Sequence, residues 1–152
     1  MRLTIVAVGR AKAGPERDLF DHYKRRITSP FDVREVEEKK SLSGPELKRR
    51  EAALLDGAVP QGAIRIALDE NGRNLSSREF ASKLGNWRDE GIRDLVFIIG
   101  GADGLDKTIL ESCQLRLCLG KQTWPHMLVR GLITEQIYRA QCILAGHPYH
   151  RD

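Results

Sequence analysis

A chain of 152 residues amounts to one domain. With 41% hydrophobic and 30% charged residues it is not a disordered, collagenous or membrane-spanning protein. Lysine and arginine number 25 against 21 acids, and the excess sits late: residues 116–152 carry five basic side chains, two acids and three of the four histidines. An acid-poor end rich in Arg and His suits a phosphate-rich partner, although an ordinary soluble surface with a basic tail has the same charge balance. The opening MRLTIVAVGRAKAG is apolar for too short a stretch to be a signal peptide. Three cysteines without paired spacing (Cys113, Cys118, Cys142) are read as reduced thiols of a cytoplasmic protein.

Taken in chain order, the first apolar run, Leu3–Val8, is nearly unbroken and predicts a strand covered on both faces. Pro15–Ile27 follows as a helix with Leu19, Tyr23 and Ile27 on one face. Phe31–Glu37 alternates apolar and polar residues, the pattern of an edge strand with one wet face. The charged stretch Glu38–Leu42 is expected to be mobile. Ser43-Gly44-Pro45-Glu46 opens a second helix, with Ser43 as cap, Pro45 in the first turn and Leu47, Leu54 and Leu55 as its stripe. Ile64–Leu68 is a second covered strand, and Asp69 behind it is either a ligand acceptor or a solvated loop carboxylate. Ser76–Trp87 reads as a helix with a capping box from Ser76 and Glu79 and an inner face of Phe80, Leu84 and Trp87. Leu95–Ile99 is the third covered strand, Asp106–Ser112 a short helix and Leu115–Leu119 a fifth strand. The last helix runs from about Met127 to Ala145, with Leu128, Leu132, Ile133, Ile137, Tyr138 and Ile143 as packing residues. Gly131 inside it implies a close backbone approach. Alternation of strands and helices predicts a single α/β domain over 1–152: a mostly parallel sheet of five to six strands with helices on both faces.

The sharpest local feature is the run Phe97–Gly104, FIIGGADG, in which a buried strand enters paired glycines and then a helix. Ligands of open α/β sheets bind beyond the carboxyl ends of strands. The run lacks the Gly-Lys-Ser/Thr of a P-loop and the GxGxxG of a dinucleotide site, and an unliganded tight turn would look the same. Leu119–His126 is a second acid-poor loop at a strand end, and His126 at the start of the last helix reads as a cap or subunit contact. Arg139 stands four residues after Glu135, so an ion pair within the helix is an available reading.

Four motifs in register, Ile98–Gly104, Thr123–His126, Arg130–Ala140 and His147–Arg151, together with the first strand, resemble the pseudouridine methyltransferases of large-subunit ribosomal RNA in the SPOUT superfamily (the RlmH type). The resemblance spans essentially the whole chain. It implies an α/β fold with a C-terminal trefoil knot, a homodimer, and methyl transfer from S-adenosylmethionine to N3 of a pseudouridine. The implied substrate is the helix 69 stem-loop of 23S ribosomal RNA within the assembled ribosome, with no membrane involved. The implied cofactor residues are Leu68, Gly100 and Leu119, Gly120, Lys121, Gln122, Thr123 and Trp124, and Trp124 departs from the smaller apolar or phenyl residue expected there. Leu68, Ile99 and Leu119 would sandwich the adenine.

Methyl transfer to nitrogen needs alignment and loss of a weakly acidic proton, and no Cys/His cluster with ligand spacing implies a metal. Arg130, Arg139 and Arg151 would favour the anion of the acceptor and grip phosphates. His150 is the candidate base, and Tyr149 the ring to stack on an extruded base. The tail Pro148–Arg151 is expected to complete the partner subunit's site. The competing reading is a non-catalytic ribosome- or RNA-binding module.

Overall fold

Three of the five strands are nearly unbroken apolar sequence, and the computed structural model, which describes all 152 residues, sets those three in the middle of one sheet. The strands are β1 (Arg2–Val8), β2 (Phe31–Val36), β3 (Ile64–Asn74), β4 (Asp94–Ile99) and β5 (Leu115–Cys118). Their order is β2-β1-β4-β3-β5, and every pairing is parallel. The alternating strand β2 is an edge, as its pattern requires.

The helices are α1 (Pro15–Lys24), α2 (Gly44–Ala58), α3 (Ser77–Asp89), α4 (Lys107–Glu111) and α5 (His126–Ala145). Side chains of a strand alternate between faces, so β1 sends Leu3, Ile5 and Ala7 into one core and Val6 and Val8 into the other. The first core is closed by α3 and α5 through Phe80, Leu84, Ile133 and Ile137, with Phe20 of α1 at its margin. The second is closed by α2 and α4 through Leu55 and Ile109. This is the expected α/β domain with helices on both faces, with five strands and all of them parallel.

Several local expectations change. Ser43 occupies the N-cap position of α2 but its side chain makes no cap bond. Leu54 is 37% exposed rather than part of the α2 stripe, because it lies one residue, about 100° of helix, from the buried Leu55. Glu51 and Ala52 take the inner face instead. In α3 the capping box is present in full, with the Glu79 N–H donating to Ser76 Oγ and the Ser76 N–H donating to Glu79. In α1 the helix ends at Lys24, three residues before Ile27. In segment 38–42, which has no helix or strand, Glu38 accepts from the Lys40 N–H and from Arg50 at 3.1 and 3.2 Å.

The strand β3 runs six residues beyond Leu68. Leu68 and Arg73 both face Leu117, so residues 69–72 are looped out between two stretches of pairing with β5. Asp69 accepts from the Asn71 N–H at 3.1 Å, which stabilises that loop. The close approach implied by Gly131 is there: a methyl group on it would sit 2.9 Å from Leu19 of α1.

Candidate active site

A parallel sheet brings all its carboxyl ends to one rim, and the order β4-β3-β5 makes three of those ends neighbours. The loops beyond Leu68, Ile99 and Cys118 therefore meet, and they enclose a cavity of about 540 Å³. Of the residues expected at a cofactor, Leu68, Gly100, Leu119, Gly120, Gln122, Thr123 and Trp124 line it, together with Ile99. Lys121 is exposed and outside the lining. At Gly100 a Cβ would lie 2.9 Å from the Gly104 carbonyl, so the turn closes only with glycine there. Gly101 and Gly104 bridge each other, and the Gly104 N–H donates to the Gly101 carbonyl at 3.0 Å. Asp106 caps α4 by accepting from Thr108.

Two groups at this rim gave no signal in the sequence. Lys48 of α2 is one wall of the cavity. Glu51, one helical turn further on, is buried directly behind Gly101, where a methyl group would stand 3.1 Å from its carboxylate. Burial, and then the charge of Asp103, push the Glu51 carboxyl above its ordinary range. A heptad-like apolar stripe does not announce an acid on its inner face.

A second cavity of about 700 Å³ shares a wall with the first. Leu117, Leu119, Gly120 and Trp124 line both, and Glu135, Gln136, Arg139 and Tyr149 face the second. The tail reaches it because Gly146, at φ +71°, ends α5 in a left-handed turn, with the His147 N–H on the Cys142 carbonyl. Glu135 then gathers three donors on one oxygen: Arg139 Nε at 3.0 Å, Arg139 Nη2 at 2.6 Å and the Tyr149 hydroxyl at 2.9 Å. The intrahelical pair of Glu135 and Arg139 is thus formed, and it is part of a larger network. Arg139 also stacks its guanidinium over the Tyr149 ring at 4.8 Å and offers Nη1 to His150 Nδ1 at 3.2 Å. A guanidinium only donates, so this contact assigns the Nδ1 lone pair to Arg139 and the ring proton to Nε2, which faces Asp152 at 3.0 Å. Asp152 in turn holds Arg78 of α3. The Arg78 and His150 contacts bring its carboxyl down to about 2. Burial, and then hydrogen bonding to Tyr23 and Glu135, push the Tyr149 phenol well above its ordinary value.

Arg130 lies elsewhere. It is 4% exposed, pairs with Glu35 at 2.7 Å and donates to the carbonyls of Gly9 and Val8 at 2.8 and 3.3 Å. It borders a separate cavity between α1, β2 and the loop after β1. Nine residues separate it from Arg139, about 13 Å of rise and half a turn out of phase, so one helix cannot bring both to the same site. His126, at the start of α5, lines the cavity of the three loops and also reaches the turn at Gly9.

Comparison with known proteins agrees with this geometry. Residues 1–150 match the family described as predicted SPOUT methyltransferase. A ribosomal RNA large subunit methyltransferase H of Rhodospirillum centenum is 58% identical over 99% of both chains, and that of Paramagnetospirillum magneticum 56% identical over the same shares. The Rhodospirillum rubrum protein of the same name is 52% identical over the whole of both. Among solved structures, a probable methyltransferase from Bordetella pertussis superposes with a TM-score of 0.60 at 14% identity, over 91% of this chain and 95% of that one. A probable methylase family protein from Haemophilus influenzae gives 0.58 at 12%, over 99% of this chain and 70% of the other. A full-length family match, relatives identical at half or more of their positions, and a shared fold place this chain in the SPOUT methyltransferase family.

Proposed function

We propose that this chain transfers a methyl group from S-adenosylmethionine to large-subunit ribosomal RNA, at N3 of a pseudouridine in the helix 69 stem-loop of 23S RNA, as a cytoplasmic homodimer acting on the assembled ribosome. The observation that carries the reading is the shared wall. The cavity of the three loops, built like a small-molecule site, opens beside the network of Glu135, Arg139, Tyr149 and His150. The relatives over 50% identical along their whole length are named for ribosomal RNA methylation. The trefoil knot belongs to the same proposal, supported by the likeness to methyltransferase structures.

The first cavity fits such a cofactor. Leu68, Ile99 and Leu119 offer apolar walls for an adenine, and the glycine turn brings backbone groups close. Asp69, Glu70 and Asp103 at the rim suit a ligand that carries positive charge. When bound, S-adenosylmethionine supplies an electrophilic methyl group on a sulfonium. The protein must then orient the acceptor nitrogen and remove its proton. Arg139 places a cation beside the acceptor and favours its anion. Tyr149, with its phenol pushed up, stays protonated and serves as donor and spacer rather than as base. That leaves the Nδ1 lone pair of His150 to take the proton once Arg139 turns to the substrate. Arg130 ties β1, β2 and α5 together and contributes to the site only through that framework.

Mass spectrometry of ribosomal RNA from cells lacking the gene tests the proposal. One methylated pseudouridine should disappear from the large-subunit RNA and return on complementation, and an unchanged modification profile overturns the reading. Calorimetry with S-adenosylmethionine separates enzyme from binding module: heat of binding is expected, and its absence favours the module.

A further inference from the structure

The carboxyl-end rim of the sheet is divided by charge. On the side of β3 and β4, the loops around the three-loop cavity carry Asp69, Glu70 and Asp103. On the side of β1 and β2, the loops carry Arg10, Lys12, Lys39 and Lys40. Glu37 pairs with Arg10 at 3.3 Å and Glu38 with Arg50 at 3.2 Å, so both acids of the loop after β2 are engaged. Lys12, Lys39 and Lys40 stay exposed and unpaired.

The cationic side adjoins the candidate site. Strand β1 pairs with β4, so its loop starts one strand spacing, about 5 Å, from the glycine turn. Lys48 of α2 stands in the wall of the three-loop cavity, and His126 joins that cavity to the turn at Gly9. Past this turn lies the groove of about 500 Å³ between α1 and β2, edged by Arg10, Lys12, Arg17 and Lys24 with the buried Arg130 behind them. Its acids are mostly taken: Asp21 by Arg17 at 3.9 Å and Glu35 by Arg130 at 2.7 Å, which leaves Glu16 as its one free carboxylate.

We propose that Lys12, Lys39 and Lys40 form a ledge for backbone phosphates of the RNA substrate, so that the strand leaves the reaction site over the ends of β1 and β2. This rests on the RNA-methyltransferase reading. Phosphates are drawn to the exposed ammonium groups and turned away by Asp69, Glu70 and Asp103 on the other side. Such contacts fix the direction of a strand without reading its sequence. The lysines are spread over two loops rather than gathered at one point, which suits a string of charges better than a single small anion.

The test uses the full-length protein and two labelled RNA hairpins of equal length, one with the helix 69 sequence and one scrambled. At low ionic strength, Lys12→Ala with Lys40→Ala should weaken both hairpins alike, by about 10-fold, and lower the slope of log affinity against log salt by about two. Lys12→Arg with Lys40→Arg should keep wild-type binding. Arg25→Ala with Arg93→Ala removes the same charge from exposed side chains at the opposite rim, and should leave affinity within about 2-fold and the slope unchanged. Neither lysine lines the three-loop cavity, so calorimetry should give the alanine variant the wild-type affinity for S-adenosylmethionine, which also shows that it folds. Equal losses in the two alanine variants would mean that net charge alone is at work, and overturn the proposal. An unchanged slope in the lysine variant overturns it too, as does a wild type that holds neither hairpin. A wild type that holds both hairpins through these lysines yet methylates nothing keeps the ledge and removes the transfer reaction, so the two readings fail separately.

Discussion

Arg130 ties the ends of β1 and β2 to α5 with three hydrogen bonds, and its Nε is buried without a partner. Removing its charge strips Glu35 of its ion pair and two carbonyls of their donor, although the Ala11 N–H still holds Glu35. We expect Arg130→Met to cost about 3 kcal/mol, the low end for a broken buried pair because Glu35 keeps 27% of its side chain exposed. In a domain of this size that lowers the thermal midpoint by roughly 6–12 °C. Glu35 gives this a pH signature. Burial raises its pKa, but the Arg130 and Ala11 hydrogen bonds and nearby Arg charges outweigh that and leave it below the ordinary 4.5. Its stabilising contribution is therefore present above that value and lost as pH falls through the folded one, and Arg130→Met should flatten this part of the acid limb. Glu51 has the opposite sign. Its folded pKa is raised, so the native state holds the proton more tightly and stability drains away as pH climbs past 4.5. Glu51→Gln should shift the urea midpoint upward at pH 7 and leave it unchanged at pH 4. An equal shift at both would show that titration of Glu51 is not the cause.

At the scale of elements, helix α3 and the contact of α1 with α5 make separable predictions. Ser76→Ala removes the cap and half of the box, a loss of about 1 kcal/mol in a urea titration. Gly131→Ala would ordinarily favour a helix by about 1 kcal/mol. Here the new methyl meets Leu19 at 2.9 and 3.1 Å, one of these atoms near the stem of the side chain, so the net effect should be destabilising. Leu19→Ala should relieve it in the double variant. These elements were legible because their signals are local: a Ser-x-x-Glu spacing, a glycine inside a helical pattern, three unbroken apolar runs. The extension of β3 was not, since DENGR reads as a polar loop and only the partner strand β5 recruits Arg73 and Asn74. Nor was the engagement of Tyr149, which depends on one glycine turning the tail back over α5.

For the whole molecule, the candidate site was legible as three strand ends, because a parallel sheet sends them to one rim. Periodicity cannot say which ends are neighbours; the order β4-β3-β5 does. The tail lies on its own chain through Arg78, Glu135 and Arg139, so it presents a formed surface rather than a frayed end. If the homodimer shares its sites, mixing a subunit truncated before Pro148 with a subunit disabled at Gly100 should restore methylation in the mixed species. Silence from the mixture would mean that each subunit works alone.

The two ends of the polypeptide are not equivalent for anyone handling it. Met1 packs on the margin of the first core at the rim opposite the cavities, while the Asp152 side chain is clasped by Arg78 and His150. A label attached at Met1 stays at the rim away from the cavities. Asp152 makes both contacts through its side chain, so a label placed there keeps the clasping carboxylate but crowds Arg78 and His150, and labelling at that end should disturb the network before it disturbs the fold.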